Sequence, residues 1–63
     1  MNNPLITEAL EGRNDQQKVW DLFQVIAVSG NRKSKVWKEI QARAVPWVVK
    51  DVDAHLERMG WSL

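Results

Sequence analysis

Sixty-three residues make at most one domain, and a domain this short buries only about 60% of the surface its unfolded chain exposes, so a few large apolar side chains must carry the fold. The absence of cysteine excludes a disulfide scaffold and a thiolate zinc site, and no apolar run approaches the roughly 20 residues of a membrane span. A net charge of +1 excludes nothing by itself, but its distribution is uneven. Residues 1–30 set Arg13 and Lys18 against Glu8, Glu11, Asp15 and Asp21. Residues 31–45 set Arg32, Lys33, Lys35, Lys38 and Arg43 against Glu39 alone, and residues 46–63 set Lys50 and Arg58 against Asp51, Asp53 and Glu57. The positive charge therefore gathers in the middle of the chain. Such a cluster is either a solvated face or a phosphate-binding patch. The opening MNNPLITEAL has neither the basic start nor the apolar core of a signal peptide, which predicts a cytoplasmic protein.

Residues 1–13 are weakly patterned and are expected to form a loosely ordered arm. Thr7 can cap one turn over Thr7–Leu10 that ends near Gly12, with Leu5, Ile6 and Leu10 lying against the body. Residues 14–61 are expected to form the domain itself, and 62–63 a tail. Asn14 and Gln17 have the spacing of a capping box, in which each side chain bonds the backbone of the other, and Asp15 suits the positive end of a helix. Val19, Phe23 and Ile26 then recur at helical spacing, with Trp20 and Leu22 beside them, as far as about Val28.

Asn31 to Lys33 is a polar connector, and Ser34 is the expected cap of a second helix whose stripe is Val36, Trp37, Ile40 and Ala44. Pro46 fits only the first turn of a third helix, where its missing N–H is no loss. Val48, Val49, Val52, Leu56 and Met59 make that helix's inner face, and Gly60 stops it. Period-two alternation is absent, so the expectation is an all-α, compact three-helix bundle.

The residues for catalysis are few. A nucleophile–base pair would have to be built around His55, the single histidine, and the chain has no cysteine or tyrosine. Asp51 and His55, four apart on one helix, give only two metal ligands on an exposed face. The glycines are isolated, with no phosphate loop among them. No enzyme activity, cofactor, metal or small-molecule substrate is expected, and the third helix lacks the Lys/Arg-rich polar face of a membrane-surface helix.

A short helix carrying Val36, Trp37, Ile40 and EIQAR, the apolar turn residue Val45, and a longer helix carrying Val48, Val52, Leu56, Met59 and Gly60 together resemble the core of the helix-turn-helix and winged-helix families over residues 15–61. Only three residues follow Gly60, so the expected form is wingless. The resemblance implies that the third helix enters the DNA major groove, and that a dimer supplies the second half-site. On that reading Arg32, Lys33, Lys35, Lys38 and Arg43 contact phosphates, while Trp47, Lys50 and Asp51 take base-facing positions. The expected role is a small DNA-binding regulator acting as a homodimer. The alternative is an interaction module or inhibitor that docks on a larger protein through exposed tryptophans, Trp47 and Trp61, a residue type that often anchors interfaces. Against that stands the possibility that Trp61 closes the core and Trp47 packs on Trp37.

Overall fold

The structure, a computed structural model, describes residues 3–61 and 63. Among the described residues there are four α-helices: α1 (Pro4–Leu10), α2 (Asp15–Ala27), α3 (Lys33–Arg43) and α4 (Pro46–Arg58). A 3₁₀ turn, Gly30–Arg32, leads directly into α3. The all-helical expectation holds, but the helices number four and not three. The difference lies in the N-terminal arm.

That arm is an ordered helix because Asn3, and not Thr7, caps it. The Asn3 Oδ1 accepts from the Leu5 amide at 2.9 Å, and Pro4 occupies the first helical position, where it needs no donor. Thr7 sits inside the helix, its amide donating to the Asn3 carbonyl. Ile6 is fully buried and Ala9 nearly so, in the same core as Leu22, Ile26, Ile40, Val48, Val52 and Leu56. Leu10 packs at the edge of that core, whereas Leu5, expected to join it, is exposed.

Helix α2 is the central element, and α1, α3 and α4 all pack on it. Its start is as expected in one half: Asn14 Oδ1 accepts from the Gln17 amide at 2.8 Å. The reciprocal half of the box is not formed, because Gln17 Nε2 donates to Asp21 Oδ1 instead. Val19, Leu22, Val25 and Ile26 form its buried stripe, with Phe23 at the margin and Trp20 exposed. Gly30, at φ +59°, turns the chain sharply into α3. As a result α3 begins at Lys33, and Ser34 lies within it instead of capping it.

Ala44 and Val45, both extended, join α3 to α4, and Pro46 opens α4. Helix α4 lies mainly against α2 and only lightly against α3. Its end is a Schellman motif: Gly60, at φ +73°, lets the Gly60 amide reach the Glu57 carbonyl and the Trp61 amide reach that of Leu56, each at 3.0 Å. This reversal explains why Met59, expected on the inner face, is exposed. The helix has already ended at Arg58, and the returning chain packs Trp61 against the core.

Candidate nucleic-acid interface

The expected phosphate contacts separate into three groups. Arg32, Lys35 and Lys38 follow one another at intervals of three residues, so they share one side of the 3₁₀ turn and α3, and all three are exposed. Among the described residues the ion pairs are Lys18–Asp15 at 3.9 Å and Arg43–Glu39 at 2.9 Å, which leaves these three cations with no carboxylate within 4.0 Å. Glu39, the single acid of α3, is already engaged by Arg43.

Lys33 forms the second group. It is half-buried, its Nζ lying 4.5 Å from the centre of the Trp61 ring in a cation–π contact. Arg43 forms the third, and the structure uses it as a clamp. One guanidinium nitrogen donates to Glu39 Oε2 at 2.9 Å and the other to Thr7 Oγ1 at 2.7 Å, while the Asn3 amide donates to the same Glu39 oxygen at 2.8 Å. The clamp holds α1 to α3. The Asn3 amide holds the Glu39 carboxyl below its usual value of 4.5; burial opposes it, and Arg43 adds to the lowering.

The expected base-facing residues lie on exposed turns of α4. Trp47 is 59% exposed, and its Nε1–H donates to Asp15 Oδ2 at 2.6 Å, so its edge is turned to the start of α2. Lys50 borders an open cleft of about 490 Å³ between α3 and α4, together with Trp37, Gln41, Val49 and Asp53. Gln41 stands one turn beyond Lys38, so the cleft that Lys50 borders begins one turn past the end of the cationic stripe. Asp51 faces away from that cleft, into a groove of about 580 Å³ between α2 and α4 whose walls include Trp20, His55 and Arg58.

The two tryptophans held open between core and surface divide. Trp61 is half-buried and stacks on Phe23, ring centres 5.1 Å apart and planes 9° from parallel. Trp47 is the exposed one. Trp20 is a third, overlooked because it neighbours Val19 in sequence. At 100° per residue it falls far from the centre of the Val19–Leu22–Val25–Ile26 stripe, and it is 52% exposed. Among the described residues no cluster of three or more His, Asp or Glu side chains could hold a metal ion, and no helix is long and apolar enough to cross a membrane. Comparison with protein-family models, curated proteins and solved structures gives no match.

Proposed function

We propose that the chain is a small, non-enzymatic DNA-binding regulator of helix-turn-helix type, with α3, the Ala44–Val45 turn and α4 as the unit and a homodimer as the working form. The observation that carries this reading is the exposed stripe Arg32–Lys35–Lys38, three cations with no carboxylate partner among the described residues. Cations left unpaired on one side of a helix fit the phosphate backbone, where they displace condensed counterions. Lys50, across the α3–α4 cleft from Gln41, extends the positive side toward the exposed turn of Trp47. The α4 surface beyond it is mixed in charge, with Asp51, Asp53 and Glu57 beside Lys50 and Arg58, which suits a few contacts from its first turns better than a long track along the groove.

A protein-docking reading retains Trp47, which is exposed, but draws less from Trp61, whose ring is occupied by Phe23 and Lys33. The two readings part on salt. The double charge reversal Lys35→Glu with Lys38→Glu should weaken binding to a mixed-sequence duplex and lower the slope of log K against log salt by about 1 for each phosphate no longer neutralised. Unchanged affinity and slope would remove the stripe from the interface, and binding that resists salt but fails on Trp47→Ala would favour the docking reading.

A further inference from the structure

Trp20, Phe23 and Trp61 form a continuous aromatic ladder that the helix-turn-helix reading leaves unused. Trp20 and Phe23 stack with ring centres 6.1 Å apart and planes 25° from parallel, and Phe23 stacks in turn on Trp61 at 5.1 Å. Lys33 sits over Trp61, and Arg32 and Lys35 flank Lys33 at the start of α3. The ladder thus runs from Lys33, in the first turn of α3, to Trp20. An indole 52% exposed at the end of a stack has an aromatic surface with no further ring against it among the described residues, and the stacked rings behind it hold it in place.

What lies beside Trp20 is mixed, with polar side chains set among apolar ones. The α2–α4 groove it borders is open, about 580 Å³, and beside the apolar Val19 and Ala54 its walls carry the Asn14 and Gln16 amides, the Asp51 carboxylate, the His55 imidazole and the Arg58 guanidinium. His55 is itself set against the ladder, its ring 5.9 Å from that of Phe23. An exposed aromatic face next to amide donors and acceptors, with Arg58 and Asp51 in the same groove and Lys33 at the far end of the ladder, is poorly suited to a wholly apolar peptide. It suits a flat heterocycle that has hydrogen-bonding edges and is joined to phosphate.

We infer that the α2–α4 groove takes an unpaired nucleobase stacked on Trp20, so that the DNA this chain binds best has a single-stranded stretch next to the region gripped by Arg32, Lys35 and Lys38. The base would stack on the indole, the amides of Asn14 and Gln16 would meet its edge, Asp51 would accept from a base N–H, and Arg58 would face the adjoining phosphate. This rests on the DNA-binding reading of the cationic stripe and narrows the substrate class it implies. A base inside a duplex has both faces stacked and cannot reach the indole, so the site discriminates by strand state and not by sequence.

The test is fluorescence anisotropy at about 50 mM salt with two labelled probes of equal length, an oligothymidylate single strand and a blunt mixed-sequence duplex. Wild type should prefer the single strand. Trp20→Ala should weaken single-strand binding by about five- to 150-fold, the usual span for loss of one base–aromatic stack, and leave duplex binding and its salt slope unchanged. Trp20→Phe, which keeps a ring, should restore most of the preference. The inference alone is overturned if the duplex binds and the single strand is not preferred, or if Trp20→Ala weakens both probes equally. Absence of binding to either probe overturns the inference together with the DNA-binding reading beneath it.

Discussion

Trp47 and Asp15 join the first turns of α4 and α2 through a 2.6 Å hydrogen bond from the indole N–H to the carboxylate. The bond spans 32 positions of sequence and is the side-chain hydrogen bond between these two helices among the described residues. It also spends the one polar atom of an otherwise open tryptophan. Because Asp15 also complements the positive end of α2 and pairs with Lys18, its replacement removes three effects at once, and only a cycle isolates the bond to Trp47. Asp15→Ala, Trp47→Phe and the double variant, compared by urea denaturation, should give a coupling of about 0.5–1.5 kcal/mol, the usual net value of one hydrogen bond. Additive losses would mean that the pair contributes nothing in solution.

The Glu39 clamp predicts a local response to acid. Its carboxyl is held below 4.5 first by the Asn3 amide and then by Arg43, so the folded form favours the ionised state. A group lowered on folding contributes stability that is present above its unfolded value and lost as pH falls through the folded one. The contacts of Asn3, Thr7 and Arg43 should therefore loosen below 4.5, with the Asn3 and Thr7 amide resonances moving first and the α4 amides unaffected at that stage. In Glu39→Gln the acid-dependent shift of Asn3 should vanish. An Asn3 resonance that titrates identically in both proteins would show that Glu39 is not its partner.

The core makes α1 part of the folding unit. Ile6 is as fully buried as Ile26 and Ile40, and Leu56 is 2% exposed. Ile6→Ala and Leu56→Ala should each cost about 2–5 kcal/mol, against a total on the order of 3–9 kcal/mol for a chain of this length. Melting followed by circular dichroism should show both variants severely weakened. An Ile6→Ala protein that melts like wild type would return α1 to the status of a loose arm.

These residues mark where the sequence was legible and where it was not. The long helices were readable because Val19, Leu22, Ile26, Val48, Val52 and Leu56 repeat at the helical period, and because Asn14, Pro46 and Gly60 punctuate them chemically. Helix α1 was missed because seven residues contain too few turns for a period to show. The signal that could have found it was Asn3-Pro4, a cap followed by a first-turn proline. The cationic cluster was visible as composition, but its division was not. Whether Arg43 faces solvent or grips Thr7 depends on where α1 lies, a long-range fact that no local spacing carries. The same limit applies to Trp61, whereas the helical spacing of Trp20 already sets it off the buried stripe of α2. Only the turn at Gly60 and the packing of α4 on α2 fold Trp61 over Phe23.

Gly60 offers the sharpest test of how the end of α4 is built. Its φ of +73° lies in the left-handed region, and a Cβ added there meets nothing within 4 Å. The cost of substitution therefore comes from the backbone and not from crowding. Gly60→Ala should lose about 1–2 kcal/mol, because an L-residue must either adopt that conformation or give up the bonds from the Gly60 and Trp61 amides to Glu57 and Leu56. If the second route is taken, Trp61 swings off Phe23 and Lys33 loses its ring. The emission of a protein in which Trp61 is the remaining tryptophan should then shift to longer wavelength. Gly60→Asn, which tolerates the left-handed region better, should lose less and keep the shorter wavelength. Equal losses for Ala and Asn would show that the turn is not held in the left-handed form, and that Trp61 reaches the core by another path.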